Sequence, residues 1–114
     1  MHPLLQKIAD HLSVAFTGRS PHWPAARRAW LKQYPTCAAC GTAKSVQVHH
    51  KQPFHLYPAR ELDPTNFITL CECSPYEDHL EVGHKGNWKL FNADVVAEAA
   101  RLITQRQPTK GSHP

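Results

Sequence analysis

The sequence predicts a small α+β fold, in which a metal-held β-hairpin lies between flanking N- and C-terminal helices. All four cysteines and five of the nine histidines fall within residues 37–84. That stretch contains two short runs rich in β-branched residues, whereas helical periodicity lies on either side of it. Ten prolines and a 41% hydrophobic content leave only a modest core in a chain of 114 residues. Chains of this kind often need a metal as a structural staple.

The length of 114 residues predicts a single domain over residues 1–114. Residues 1–20 are expected to form a helical extension, 93–107 a C-terminal helix and 108–114 a flexible tail. No apolar run approaches the roughly 20 residues of a membrane-spanning helix, and the start lacks the features of a signal peptide. The expected location is therefore cytoplasmic, with no membrane partner, and the oligomeric state stays open.

Helical periodicity marks two segments before the first cysteine. Apolar residues recur at helical spacing over residues 3–16, and residues 17–21 break that helix. A second helix is predicted from Pro24 to about Gln33, with Trp23 and Trp30 on its apolar side. Its basic residues either contact nucleic acid or are simply solvated; they are Arg27, Arg28 and Lys32.

Two short strands are predicted in the middle of the chain. Residues 45–50 alternate, with Val46 and Val48 on one face. Residues 51–65 are rich in proline and have no periodicity, which indicates a loop. Residues 66–70 form a second β-rich run. The two runs are expected to pair as an antiparallel hairpin with a long connection.

Two further helical segments are predicted after the last cysteine. Residues 78–84 begin a helix that nearby glycines keep short. Asn92 is a candidate N-cap for a last helix over residues 93–106. The apolar face of that helix consists of Val95, Val96, Ala99, Leu102 and Ile103. Between the two helices, further core residues are expected at Trp88, Leu90 and Phe91.

The cysteine spacing predicts a structural zinc site. A two-residue gap lets Cys37 and Cys40 bind one tetrahedral ion, and a second pair, Cys71 and Cys73, favours zinc over redox chemistry. The expected ligands are these four cysteines. Because the gap between Cys71 and Cys73 is a single residue, ligation by both thiolates is strained. Asp78 or a water molecule is the alternative fourth ligand.

The histidines suggest a second, imidazole-rich site. His49 and His50 are adjacent on a predicted strand and so point to opposite sides. One can hold a metal ion while the other acts separately, for example as a general base. His79 and His84 are five residues apart, whereas four is the better spacing on a regular helix, but Gly83 can relax the turn. Imidazole ligands suit Zn²⁺, Ni²⁺, Co²⁺ and Mn²⁺, and added carboxylates would favour Mg²⁺ or Mn²⁺.

The order of these pieces resembles the HNH endonucleases of the small phage and bacterial type. The chain reads Cys-x-x-Cys-Gly, Val-His-His, Asn-x-x-x-Leu-Cys and His-x-x-x-Gly-His-x-Gly-Asn-Trp. The resemblance covers about residues 23–92, which would form the HNH core. It departs from the family at the second cysteine pair, which usually reads Cys-x-x-Cys followed at once by histidine.

The resemblance implies a ββα-metal fold and hydrolysis of phosphodiester bonds in DNA. It assigns the general base to His50 and makes Asn66 the residue that orients it. One catalytic divalent ion (Mg²⁺, Mn²⁺, Ni²⁺, Co²⁺ or Zn²⁺) would be bound by His49, His79 and His84. That ion would stabilise the leaving 3′ oxygen. The zinc on the cysteines would anchor the hairpin to the helix.

The charge of the chain fits a polyanionic partner. Its net charge is +4, which favours nucleic acid, although many soluble proteins carry a solvated basic surface. The expected DNA-binding residues are Arg27, Arg28, Lys32, Lys51, Lys85 and Lys89. Two alternatives stay open: a non-catalytic zinc module that binds nucleic acid or protein, and a degenerate, inactive HNH fold. The non-catalytic zinc module does not explain why the histidines and Asn66 occur together.

Overall fold

The computed structural model describes residues 19–106. Within them the chain forms a small mixed α+β arrangement with a two-stranded antiparallel sheet, as the sequence predicts. The regular elements, in order, are helix α1 (Trp23–Gln33), strand β1 (Val46–His50), strand β2 (Phe67–Cys71), a π-helical turn (His79–Gly83) and helix α2 (Val95–Arg106). The connection between the strands contains two short 3₁₀ turns, Pro58–Arg60 and Pro64–Asn66.

The register of the hairpin separates the two groups of candidate ligands. His50 lies opposite Phe67 at one end of the sheet, and Val46 lies opposite Cys71 at the other. The predicted second strand is shifted by one residue, because residue 66 completes the preceding 3₁₀ turn. His49 and His50 therefore lie at one end of the hairpin, and Cys71, a candidate ligand, lies at the other.

Both faces of β2 are covered, and all of its residues are buried. On one face, Phe67 packs edge-on against Trp23 and Trp30 of α1, with ring centroids 5.6 Å apart in both pairs. On the other, Ile68 and Leu70 pack with the core residues Cys37, Ala39, Cys71, Val82, Val95 and Ala99. Since side chains alternate along a strand, α1 covers one face while the π-helical turn and α2 cover the other.

The start of the last helix differs from the prediction. Helix α2 begins at Val95, not at residue 93. Asn92 lies further upstream, where its side chain accepts a hydrogen bond from the Asp94 N–H and donates one to the Val82 carbonyl. Asn92 therefore makes the hydrogen bond expected of an N-cap, to the N–H two residues on, but it does so at the turn that precedes α2, and it also ties that turn to the π-helical turn. Val96, expected on the apolar face, is 52% exposed.

The segment between the π-helical turn and α2 is also more exposed than predicted. Trp88 and Leu90, expected in the core, are 55% and 49% exposed, and Phe91 is half-buried. The reason is local: Trp88 lies against the rings of His79 and His84 at the surface. The predicted helix over residues 3–16 and the tail over 108–114 lie outside the described residues. Within residues 19–106, no helix is long and apolar enough to cross a membrane.

Candidate metal centres

The π-helical turn brings His79 and His84 together. The His84 N–H donates to the carbonyl of His79, five residues back, at 3.1 Å. A π turn is wider than an α turn, so residues five apart lie on the same side of it. His49 of β1 completes a triangle, with ring centroids 5.1 Å from His79 and 4.7 Å from His84, which are 5.0 Å from each other. One ring nitrogen from each of these histidines lies within 4.8 Å of the other two, as a shared metal ion requires.

Gly83 permits this close approach. A Cβ atom at this position would lie 3.0 Å from two atoms of the His49 ring and 3.0 Å from Leu70 Cδ1. Such contacts are tighter than nine in ten of those that real Cβ atoms make, so a side chain here would require the His49 ring and Leu70 to shift by a few tenths of an ångström. The absence of a side chain at Gly83 therefore favours close packing of the π-helical turn against β1.

Hydrogen bonds orient two of the three rings. His79 Nδ1 lies 2.8 Å from Glu72 Oε1, and His84 Nδ1 lies 2.8 Å from the carbonyl oxygen of Leu90. Because a carboxylate and a carbonyl only accept, each Nδ1 carries the proton and each Nε2 keeps its lone pair. This arrangement, with an acceptor behind each imidazole, is typical of metal-binding histidines.

His49, the third member of the triad, has a buried ring nitrogen without a hydrogen-bond partner. Among the buried side-chain nitrogen and oxygen atoms of residues 19–106, His49 Nε2 alone has no hydrogen-bond partner. A buried polar atom without a partner is costly, and coordination to an ion would satisfy it. A donor set of three neutral imidazoles fits Zn²⁺, Co²⁺, Ni²⁺ or Mn²⁺.

The surroundings keep two members of the triad uncharged. Burial, together with the neighbouring His79, His84 and His50, lowers the pKa of His49 to about 3. Burial also lowers the pKa of His79, although the carboxylate of Glu72 opposes that shift. Neutral imidazole is the form that binds metal, so both residues are prepared as ligands at neutral pH.

His50 lies on the other face of β1 and has different neighbours. The centroid of its ring lies 4.7 Å from that of Trp23 and 5.3 Å from that of Phe67. Its Nε2 lies 2.9 Å from the carbonyl oxygen of Glu61. Since that oxygen only accepts, Nε2 carries the proton and Nδ1 keeps the lone pair. The pKa of His50 is lowered, chiefly by burial, while the bond to Glu61 opposes the shift.

Despite facing opposite ways, His49 and His50 line one surface cleft. Its volume is ≈ 290 Å³, and its wall includes both histidines together with Arg19, Phe54, His55, His79, His84 and Trp88. The adjacent positions are therefore compatible with separate roles at a single site.

Asn66 is completely buried and fastens the loop that carries Glu61. Its side-chain nitrogen donates to the carbonyls of Gln52 (3.0 Å) and Arg60 (3.2 Å), and its oxygen accepts from the Gln52 N–H at 2.8 Å. These bonds close the loop between the strands. Asn66 thereby fixes the backbone next to the carbonyl that bonds His50, without touching His50 itself.

A second cluster lies at the other end of the hairpin. Donor atoms of Cys37, Cys40, Cys71 and Asp78 all lie within 4.8 Å of one another. Burial raises the pKa of the Cys37 and Cys40 thiols, so without a metal ion these thiols stay protonated. Cys73, which the sequence predicted as the fourth ligand, is outside this group. The chain turns after Cys73, where the Glu77 N–H bonds the Cys73 carbonyl at 2.9 Å, and this turn brings Asp78 to the cluster.

The predicted DNA-binding residues lie in different environments. The side chains of Arg28, Lys32, Lys85 and Lys89 are exposed. Arg27 is turned towards β1, where its guanidinium donates to the side chain of Gln47 at 2.9 Å. Lys51 is half-buried and lines a separate groove beside Trp30 and Tyr34.

Some residues at these sites had no sequence signal for the role they have. Arg19 lines the histidine cleft and pairs with the buried Glu61 at 3.5 Å. Glu72 was visible only as the residue between two cysteines; Trp88 closes the His-x-x-x-Gly-His-x-Gly-Asn-Trp pattern but was expected in the core and not beside the histidines. Arg106, which bonds Asp78, lies far from it in sequence. Only the three-dimensional arrangement links these residues to the sites.

No protein-family model, curated protein or solved structure matches this chain.

Proposed function

We propose that this protein is a metal-dependent DNA endonuclease of the HNH type, which hydrolyses phosphodiester bonds. The observation that carries the proposal is the triad of His49, His79 and His84, with His50 in the same cleft. These residues, with Asn66, are those that the resemblance assigned to catalysis. The two strands and the π-helical turn would correspond to the ββα-metal unit of that family.

In this proposal, the triad holds the catalytic divalent ion through its three Nε2 atoms. Glu72 and the Leu90 carbonyl fix the rings of His79 and His84, so these ligands need little reorganisation on binding. When bound, a divalent ion at this place supplies positive charge to a scissile phosphate and its leaving oxygen.

His50 is proposed as the general base. With Nε2–H bonded to Glu61, its Nδ1 is the atom that can take a proton from an attacking water. Its lowered pKa keeps the ring neutral, and thus able to accept a proton, at neutral pH. The Glu61 carbonyl would also stabilise the imidazolium that results, and Asn66 holds that carbonyl in place.

Surface charge supplies the proposed affinity for DNA. The net charge of +4, the exposed side chains of Arg28, Lys32, Lys85 and Lys89, and Arg19 at the cleft favour phosphate contacts. The proposal keeps the cytoplasm as the place of action, because a reducing compartment preserves free thiols.

Incubation of supercoiled plasmid with the protein and each candidate divalent ion tests the proposal. We expect nicked or linear product that disappears with a chelator, and a loss of about 10²–10⁴-fold in rate for His50→Ala. Glu81→Gln, an exposed position in the π-helical turn, is the matched control and should cleave normally. Folded protein that binds DNA but cleaves with none of the ions would instead support a non-catalytic zinc module or an inactive HNH fold.

A further inference from the structure

We propose that the cysteine cluster is a zinc site with three thiolates and one carboxylate, in which Asp78 is the fourth ligand and Arg106 balances its charge. Cys73 is then not a ligand. This inference does not rest on the nuclease proposal, because it concerns the opposite end of the hairpin and a different set of side chains.

The spacing of the donor atoms matches a tetrahedral zinc ion. With Zn–S near 2.3 Å and Zn–O near 2.0 Å, tetrahedral angles place two sulfurs about 3.8 Å apart and a sulfur and an oxygen about 3.5 Å apart. Cys40 Sγ and Cys71 Sγ are 3.7 Å apart. Asp78 Oδ2 lies 3.3 Å from Cys37 Sγ and 3.5 Å from Cys71 Sγ. These three of the six edges of the tetrahedron, two of which involve Asp78, therefore already have about the length that ligation requires.

Asp78 is held in this position by a buried charge pair. Its side chain is 0% exposed, and Arg106 Nη1 lies 3.0 Å from Oδ1 and 3.1 Å from Oδ2. A buried carboxylate needs such a partner, because burial of an unpaired charge is very costly. Oδ2, the oxygen nearer to the cysteines, is the atom we assign as the ligand.

Arg106 offsets part of the excess negative charge of this ligand set. Three thiolates and a carboxylate exceed the charge of Zn²⁺ by two negative charges, and the guanidinium offsets one of them. Arg106 also donates to the carbonyl of Ala39, between the first two cysteines, at 3.1 Å, and packs 3.6 Å from the ring centre of Tyr76. Arg106 is the last residue of α2. Its bonds to Asp78 and Ala39 therefore connect that helix to the cysteine cluster at the end of the hairpin.

Backbone donors complete the environment. The Ala39 N–H points at Cys37 Sγ at 3.4 Å, which stabilises a thiolate. Cys73 lies beside Cys71: its thiol interacts with the Cys71 thiol, and Cys71 Sγ is 4.0 Å from the Cys73 carbonyl oxygen. The Cys73 thiol nevertheless belongs to none of the groups of candidate metal ligands within residues 19–106.

The test measures bound zinc and the spectrum of Co²⁺-substituted protein in a His84→Ala background, which removes the histidine triad as a competing site. We expect one tightly bound zinc per chain. Cys73→Ser should leave both the zinc content and the thiolate-to-cobalt absorption unchanged. Asp78→Cys should raise that absorption by about one third, because four thiolates replace three.

Arg106 is tested separately by competition for zinc with a chelator. Arg106→Gln should weaken zinc binding by about 10–100-fold, as loss of an outer hydrogen bond to a ligand does, and Arg106→Lys should weaken it less. Unchanged affinity in Arg106→Gln would overturn the role of the arginine. Loss of zinc from Cys73→Ser would overturn the ligand assignment, and that variant decides the question even if Asp78→Cys fails to fold.

Discussion

His49 and His50 show how the pleat of one strand gives two adjacent histidines different environments. His49 turns towards the π-helical turn and ends at an unsatisfied Nε2, whereas His50 turns towards α1 and bonds a backbone carbonyl. Their neighbours differ accordingly, as imidazole rings surround the first and Trp23 and Phe67 the second.

Replacement of each residue by alanine should therefore affect metal affinity and cleavage rate differently. His49→Ala removes a ligand, so metal affinity should fall by about 10–100-fold, and excess metal should restore part of the cleavage activity. His50→Ala should leave metal affinity nearly unchanged while cleavage falls by about 10²–10⁴-fold. Calorimetric titration of metal, alongside plasmid nicking, measures both quantities.

A matched control is available in the same cleft. His55 is exposed and lies outside the triad, so His55→Ala should bind metal normally. His79→Ala and His84→Ala should behave like His49→Ala. Equal loss of metal affinity in His49→Ala and His50→Ala would contradict the division of roles.

The lowered pKa of His49 predicts a pH-dependent stability of the protein that holds zinc in the cysteine cluster but no ion at the histidine triad. Its pKa is about 3 when folded and near 6.5 when unfolded, so below pH 6.5 the unfolded chain binds more protons. Stability from this residue is complete above pH 6.5 and is lost as the pH falls towards 3. Urea denaturation at several pH values should show a steeper loss for wild type than for His49→Gln. Parallel pH profiles of the two proteins would contradict the assigned burial.

At the scale of elements, the π-helical turn is the feature that assembles the triad. An α-helix would separate residues five apart, whereas here the wider turn aligns His79 with His84. The turn lies so close to β1 at Gly83 that a Cβ atom there would crowd the His49 ring and Leu70.

Gly83→Ala should therefore damage both the fold and the site. The new methyl would lie 3.0 Å from the His49 ring and from Leu70 Cδ1, and overpacking of this kind costs about 1–3 kcal/mol. Thermal melts should show the loss, and metal titration should show weaker binding at the triad. Ala100→Gly, at an exposed position in α2, is a control for backbone entropy alone. Normal stability in Gly83→Ala would mean that the turn does not pack as described.

The sequence predicted the elements better than their ends. Alternation and helical periodicity located α1, both strands and α2, because these patterns follow directly from which side chains are buried. The sequence predicted an ordinary short helix where the structure has the π-helical turn. The sequence pattern does not show this form, because it depends on packing against His49. Asp78 was only an alternative ligand and Arg106 had no assigned role, because the contact joins two distant parts of the chain.

At the scale of the whole molecule, DNA binding should be strongly salt-dependent. Each phosphate contact adds about 0.9 to the slope of log affinity against log salt. Arg28→Ala and Lys32→Ala should each lower that slope, because both side chains are exposed. Arg27→Ala is the matched comparison on the same helix; it should change the slope less, since its guanidinium bonds β1. Affinity that does not change with salt would argue for a protein partner.

Metal removal should unfold the protein. Structural zinc contributes on the order of 10 kcal/mol of apparent binding free energy, which exceeds what a core this small can replace. Circular dichroism with a strong chelator should show a large fall in the thermal midpoint, reversed by added zinc. His84→Ala treated in the same way separates the sites, because only the cysteine cluster remains in it. An unchanged midpoint in metal-free protein would contradict a structural role for the ion.

The π-helical turn also has an evolutionary consequence. Asp78, the residue before this turn, belongs to the cysteine cluster, whereas His79, its first residue, and His84, the residue that follows it, belong to the triad. The length of this segment therefore sets the distance between two ligand groups. Descendants of this chain can exchange the exposed Glu81 for another residue. Inserting or deleting a residue between Asp78 and His84 would put one of the two groups out of register, so the segment should vary in composition while its length is preserved.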